Sequence, residues 1–299
     1  ILPKDKEDTA LMLGGKKDNF NKGYFDRLGA VLKLNDKHSI LAGLRFDYNS
    51  IHGNIFTPRL AYKLSLNDKN IIRLNAGTGF RVVNIFTEDH AALTGARDVV
   101  INDDLRPERT YNVNLNYLKK VYLKDGSFLG LDLSAFYTYF NNRIIGDFDT
   151  NPNQIIYDNL NGHAVSKGLT ANVDMTFSSG LKFILGATYQ DVSFTENGIK
   201  QQQILTEKFS GTWAVSYRLR KLNLGIDYTG NFYGPMRLPL LGALDPRRAH
   251  SPLWSIQNIQ LVFSGLRQIE IYGGVKNLLN WTPNKGNPFL IARTHDPFD

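Results

Sequence analysis

The chain has 299 residues and a net charge of +7, with 42% hydrophobic residues, 21% charged residues and no cysteine. The missing cysteines exclude a disulfide-stapled scaffold, a zinc–thiolate site and a thiol nucleophile, and the scattered Lys and Arg form no basic helix or stripe of the kind that holds nucleic acid. No apolar run approaches the roughly 20 residues of a transmembrane helix, yet aromatics reach 12%, mostly Tyr and Phe. That profile suits a membrane barrel, whose strands alternate lipid-facing and lumen-facing residues and keep mean hydropathy low.

The opening ILPKDKEDTA lacks the basic-then-apolar start of an export signal. A true N-terminus upstream is therefore expected, with residues 1–23 read as the remnant of an extracellular loop. From residue 24 onward, period-two alternation dominates. In chain order it predicts about twelve strands, at 24–34, 38–49, 55–66, 70–80, 107–118, 127–140, 162–177, 181–192, 206–219, 222–233, 253–264 and 268–280. In the second, Ile40, Ala42, Leu44, Phe46 and Tyr48 oppose Ser39, Gly43, Arg45, Asp47 and Asn49. In the fifth, Tyr111, Val113, Leu115 and Tyr117 oppose Asn112, Asn114 and Asn116. In the seventh, Leu169, Ala171, Val173, Met175 and Phe177 oppose Thr170, Asn172, Asp174 and Thr176, and Lys167 is the one charge on the apolar face. Tilted transmembrane strands need about 9–11 residues, whereas strands of soluble proteins usually run about 5–6, so strand length favours the membrane.

Connections alternate short (35–38, 66–70, 178–180, 220–222, 264–268) and long (81–106, 141–161, 193–205, 234–252, 281 onward). Outer-membrane barrels have short periplasmic turns and long extracellular loops, which sets odd-numbered strands running inward and even-numbered ones outward. With that direction, Phe46, Tyr48, Phe80, Tyr111, Tyr137, Tyr139, Tyr189, Phe209, Tyr228 and Phe232 fall at the outer end of the apolar face, and Tyr62, Tyr117, Phe177 and Tyr217 at the inner end. Aromatic rings concentrate at both membrane interfaces. Leu44, Val113, Leu131, Val173, Leu224 and Ile271 should face lipid, and Asn114, Asp132, Asn172 and Asp227 the interior. Arg45, Arg59, Lys63, Arg73, Asp174 and Arg218 join the interior set.

Four segments resemble one family. GTGFRVVNIFTE (77–88) is similar to a strand ending in Gly-Phe-Arg before a long loop in TonB-dependent outer-membrane receptors. LRPERTYNVNLNY (105–117) resembles their next strand, LSAFYTYFNNRI (133–144) their Ala-Phe-Tyr strand, and GVKNLLN (274–280) their penultimate strand. The resemblance implies an all-β fold: an antiparallel up-and-down transmembrane β-barrel fragment, about 12 of about 22 strands. On this reading 24–280 holds barrel strands and loops, and 281–299 is a truncated last extracellular loop. On the same reading the family's plug domain and final strand lie outside this stretch, and the strands are expected to form an open sheet with edges near 24–34 and 268–280.

The same resemblance implies TonB-dependent transport of a scarce nutrient across the outer membrane of a Gram-negative bacterium, the ligand being a ferric siderophore or similar metal chelate. It implies partners in TonB, the plug, and outer-membrane lipid and lipopolysaccharide. It implies no enzyme, no cofactor and no nucleic acid. The alternative is a smaller complete barrel acting as a passive porin or outer-membrane hydrolase; an upstream plug sequence separates the two.

The residues placed in extracellular loops are Glu88, His90, Arg97, Arg106, Tyr157, Arg237, Arg247 and Trp281, a set suited to capturing an anionic ligand, since Arg pairs such groups bidentately. Loop packing is the plainer role for the same residues. Arg81, at the strand's upper end, is expected to anchor the long loop by pairing a carboxylate such as Glu88. Asp147, Asp149, Asn151 and Asp158 occupy four positions of a calcium-loop pattern, but Pro152 stands where glycine is needed and the last position is not Glu, so a polar turn is the plainer reading. The six histidines show no metal-ligand spacing, and no paired-carboxylate or Ser-His-Asp arrangement emerges.

Overall fold

The computed structural model describes residues 23–49, 52–82, 98–102, 105–147, 150–151, 153–240, 245–283 and 287–289. Its strands in chain order are β1 (Gly23–Lys33), β2 (His38–Asn49), β3 (Gly53–Asn67), β4 (Asn70–Arg81), β5 (Asp98–Ile101), β6 (Glu108–Tyr122), β7 (Phe128–Asn142) and β8 (Ile144–Asp147). They continue with β9 (Gln154–Asn159), β10 (Gly162–Thr176), β11 (Leu181–Glu196), β12 (Ile199–Gln202), β13 (Phe209–Leu219), β14 (Leu224–Tyr233), β15 (Trp254–Leu266) and β16 (Ile269–Val275). Among the described residues the only helical segment is the short 3-10 turn Arg220–Leu222.

Twelve strands form one antiparallel sheet in the order β1-β2-β3-β4-β6-β7-β10-β11-β13-β14-β15-β16, with β12 added beside β11. This is the expected up-and-down order, and it ends in β1 and β16, which have one neighbour each. The twelve expected segments match these strands closely. The last is shorter than expected: Asn277 and Asn280 adopt left-handed backbone at φ 52° and 47°, so the Asn-Leu-Leu-Asn motif is a turn rather than strand. Asn277 Oδ1 accepts the Trp281 amide at 3.0 Å and its Nδ2 donates to the Trp281 carbonyl at 2.8 Å.

The inner turns are built from side chains that satisfy their own backbone. Asn35 Oδ1 accepts the amides of Lys37 and His38, both at 2.9 Å, and Asn67 Oδ1 accepts that of Lys69 at 2.9 Å, the Asx pattern of tight turns. Between β6 and β7, Asp125 accepts the Ser127 amide at 3.0 Å and its hydroxyl at 2.9 Å. Ser127 Oγ in turn accepts the Ser178 amide of the neighbouring turn at 3.1 Å. β6 runs to Tyr122, so this sixth inner turn is as short as the others. One outer connection departs from the alternation, since only 50–52 join β2 to β3.

Register carries each face across the sheet. Ala42 lies opposite Leu60, Leu60 opposite Ala76, and the row continues through Val113, Tyr137 and Lys167 to Asp191. A second row runs Lys119–Leu131–Val173–Leu185–Trp213–Gly230–Gln257. Leu44, Val113, Leu131, Val173, Leu224 and Ile271 therefore share one face, and Asn114, Asp132, Asn172 and Asp227 the other, as the alternation predicts. A slip of one residue would have inverted a strand.

The apolar face is bare: Leu28 is 77% exposed and Ile271 54%. A single-layer sheet with such a face is stable only against lipid or another apolar phase. Glycines on it are roofed by aromatic rings, Trp213 over Gly230 and Phe232 over Gly211, which restores the packing a missing side chain loses.

The polar face is tied together by its own side chains. Arg45 pairs Asp47 at 2.6 Å and Arg218 pairs Asp227 at 3.2 Å. Arg73 donates to Asn116 at 3.0 Å, and Asn116 donates to Asp132 at 2.6 Å. Arg59 lies against Gly43 and Gly77, and Arg218 over Gly225. Much of the interior charge is thus already paired within the wall. The few buried apolar side chains, Ile155, Tyr157, Leu160, Ala164, Met236 and Leu238 among them, gather at the outer end.

Candidate functional site

The outer end is more than a set of loops. β5, from the connection between β4 and β6, lies parallel to β9, and β9 lies antiparallel to β8, both from the connection between β7 and β10. Ile155 and Tyr157 on β9 pack with Val99, Leu105 and Ile144 into a small core. Two long connections, separated in sequence by the β6–β7 hairpin, are therefore one folded body.

That body is fastened to the wall through Glu108. Its residue is 3% exposed; Oε2 accepts from Arg81 Nε at 2.8 Å and Oε1 from the Ile144 amide at 3.1 Å. Arg81 thus pairs a carboxylate as expected, that of Glu108. The β4–β6 register sets Arg81 directly opposite Glu108, and Glu88 lies outside the described residues. Arg143 sits beside the pair, its guanidinium carbon 5.2 Å from the Phe140 ring centre, with Nη1 buried and without a hydrogen-bond partner. Burial pushes its pKa below the usual arginine value; Glu108 opposes that shift and Arg81 adds to it. Asn142 Nδ2 donates to the carbonyls of Arg106 and Pro107 at 3.0 and 3.1 Å, and Asn159 Oδ1 accepts the Arg106 amide at 2.9 Å.

Across the mouth, Tyr233, Trp254 and Trp281 stack, with centroids 4.2 and 4.3 Å apart and the two indoles within 9° of parallel. Phe289 tilts against Trp281 at 5.7 Å. Arg247 is buried, paired to Asp245 at 2.8 Å, and donates from Nη1 to the carbonyls of Pro288 and Phe289 at 3.1 and 3.0 Å.

The residues singled out from sequence fall into different settings. Glu88, His90, Arg97 and Asp149 lie outside the described residues. Arg106 is exposed while its backbone is held. Arg237 is half-buried; its Nη1 reaches the Gln202 carbonyl at 3.3 Å, and its backbone bridges to Ile204 and His250. Tyr157 and Arg247 are 7% exposed, and Trp281 is one layer of the stack. Of the calcium-loop pattern, Asp158 stands in strand β9, where its Oδ2 accepts from Asn102 at 2.9 Å. Asp147 Oδ1 and Asn151 Oδ1 accept the nearby amides of Thr150 and Asn153. Among the described residues no three His, Asp or Glu side chains gather as a metal site.

A two-faced, single-layer meander of twelve long strands, with tight turns at one end and folded loops at the other, is the wall of an outer-membrane β-barrel. Residues 16–278 match the family model described as TonB dependent receptor-like, beta-barrel. The chain belongs to the TonB-dependent receptor family and is an outer-membrane protein of the Gram-negative type. It is 22% identical over 271 residues to the ferrienterobactin receptor of Escherichia coli (strain K12), a match covering 83% of this chain and 35% of that receptor. It is 27% identical over 113 residues to the iron-regulated outer membrane virulence protein of Vibrio cholerae serotype O1, covering 37% of this chain and 17% of that one. Among solved structures, the siderophore receptor PirA from Acinetobacter baumannii superimposes with TM-score 0.66 at 16% identity, over 86% of this chain and 41% of that one. The FrpB iron transporter from Neisseria meningitidis gives 0.62 at 14%, over 87% and 41%. The chain spans well under half the length of each, and the structural likenesses speak to fold alone. By their names three of these four are receptors or transporters.

Proposed function

We propose that the chain forms the C-terminal part of the wall and mouth of a TonB-dependent transporter that takes up a ferric siderophore. The observation that carries this reading is the family match over 16–278 joined to a 22% identity with a ferrienterobactin receptor. The mouth's chemistry suits an anionic chelate: Arg81 and Arg106 are exposed there, and cations at a partly water-excluded opening attract anions more strongly than in bulk water. On this reading Arg106, Arg237 and Trp281, with Glu88, His90 and Arg97 from the longest loop, are the capture set. Tyr157 and Arg247 hold the shape of the mouth. The plug and TonB act through the rest of the full-length protein, and no covalent chemistry is required.

The test is uptake of radio-iron by the full-length protein in a host stripped of its own siderophore receptors, with a panel of catecholate, hydroxamate and carboxylate chelates. Saturable uptake of one class, abolished by loss of TonB, supports the proposal. Non-saturable uptake that persists without TonB makes the barrel a passive pore.

A further inference from the structure

The two ends of the wall carry their charge differently. At the outer end Arg81 pairs Glu108, Arg247 pairs Asp245, and Lys200 pairs Asp191, which lies opposite Lys167. At the inner end six cations stand on the tight turns: Lys37, Lys69, Lys124, Arg220, Lys221 and Arg267. Lys33, Lys120 and Lys182 stand beside them on the interior face, and Lys119 alone on the lipid face. Among the described residues none of these ten forms an ion pair, and all but Lys120 are exposed. The acids of the same rim are Asp36, Asp68, Asp125 and Glu270. Ten cations against four acids leave +6, where the whole chain carries +7.

Neighbouring strands lie roughly 4.8 Å apart, so hairpin ends recur about every 10 Å along a rim about 50 Å long. Unpaired cations in such a row sum into one field. What meets it is long, extended and anionic, and it lies on the periplasmic side. Lipid headgroups lie beside the lipid face, where only one of the ten cations stands. A pure polyanion would be repelled by the acids that Asp36 and Asp68 place in the first two turns. The rim also holds a hollow of about 170 Å³, lined by Arg218, Arg220, Asn223, Ser264 and Glu270, which offers both signs of charge to one small group. We propose that the inner rim docks on peptidoglycan, the glycan–peptide polymer of the periplasm. Carboxylates of its stem peptides meet the turn cations, and their amines meet Asp36, Asp68 and Glu270. The inference rests on the wall's orientation and is independent of the transported ligand.

The experiment sediments the full-length receptor, in mild detergent, with purified protein-free sacculi. The wild type should pellet at about 20 mM salt and be released by about 0.3 M, because exposed charges are screened. K69Q/K124Q/R220Q/K221Q should bind about tenfold more weakly, since the contacts of a multivalent row multiply. K167Q/K200Q/K208Q removes three cations from the outer end and should bind as the wild type does. Both variants are first shown to be folded barrels by heat-modifiable electrophoretic mobility. Sacculi whose carboxyl groups have been amidated should hold the wild type about as weakly as untreated sacculi hold the inner-rim variant. Failure of the wild type to pellet at low salt overturns the proposal, as does equal binding by the inner-rim variant or by amidated sacculi. An equal loss in the outer-end variant also overturns it, since net charge and not the rim would then be responsible. Release of the wild type by phosphatidylglycerol vesicles, but not by phosphatidylcholine vesicles, would make the partner a lipid and overturns it too.

Discussion

Replacing Glu108 by Ala should loosen the outer body without disturbing the wall. The carboxylate is buried, and its loss strands two groups. The Ile144 amide loses its acceptor at 3.1 Å, which costs about 1–3 kcal/mol for a shielded N–H. Arg143, already short of a partner at Nη1, loses the nearby negative charge that offsets its burial. The Arg81 side chain is 54% exposed, so its own pair adds only about 0–1 kcal/mol after screening by water. Together the local destabilisation is about 2–4 kcal/mol. Hydrogen exchange followed by mass spectrometry reads this directly. Amides of β8 and β9 should exchange about 30-fold faster or more in Glu108→Ala, while those of β10 and β11 stay unchanged, because local opening reports local free energy. Glu108→Gln keeps an oxygen for the Ile144 amide and should give a much smaller effect. Unchanged protection of β8 and β9 in the alanine variant would refute the anchoring role; equal acceleration in both variants would show that charge alone, and not the amide contact, does the holding.

Val173→Arg should cost about 2–4 kcal/mol of folding into bilayers, and Asn172→Arg far less, since lipid-face cations are penalised near the midplane and lumen-face ones are not; equal costs would mean the faces are misassigned. Asp125 in the β6–β7 turn has its pKa held below the usual 3.8, first by the Ser127 amide and then by the Ser127 hydroxyl. Because the folded value is depressed, its turn contacts persist above pH 3.8 and are lost as pH falls through the folded value. The Ser127 amide shift in an NMR titration should therefore move only below pH 3.8, and a midpoint at or above it counts against the contacts. Val100 and Ile156 are parallel neighbours in a chain without cysteine, and adjacent strands lie roughly 4.8 Å apart, within disulfide reach. A Val100→Cys/Ile156→Cys variant should oxidise spontaneously and resist maleimide; two freely reactive thiols would show that β5 does not rest on β9.

The wall was legible because lipid enforces a strict rule. Every second residue of β2, β6 and β10 must suit hydrocarbon, so the period of two survives in the sequence, and register then propagates it from Leu44 to Ile271. The body at the mouth was not legible. β5 and β8 have 4 residues each and β9 has 6, too few to show a period, and they are joined by a parallel pairing that no local pattern encodes. Glu108 stood in plain sight in the Leu-Arg-Pro-Glu segment, but its role as the partner of Arg81 appears only once β4 and β6 are aligned. The shortened end of β16 depended on Asn277 and Asn280, residues that tolerate left-handed backbone but do not announce it. Lys167 was visible as an exception, while Asp191 and Lys200 joined it only through the pairing of β10, β11 and β12.

The parallel pairing of β5 with β9 also imposes an order of assembly. Asn102, just past β5, bonds to Asp158 across 56 positions of sequence, and the β6–β7 hairpin lies wholly between them. Contacts so distant pay their loop-closure entropy before they gain anything, whereas the hairpin closes over the five-residue turn 123–127. The hairpin must therefore form first and hold its two outer ends side by side, after which β5 and β9 can meet above it. The β5–β9 clasp is therefore a later contact than the hairpin beneath it, and a chain whose β6–β7 hairpin is intact can still present an unclasped entrance.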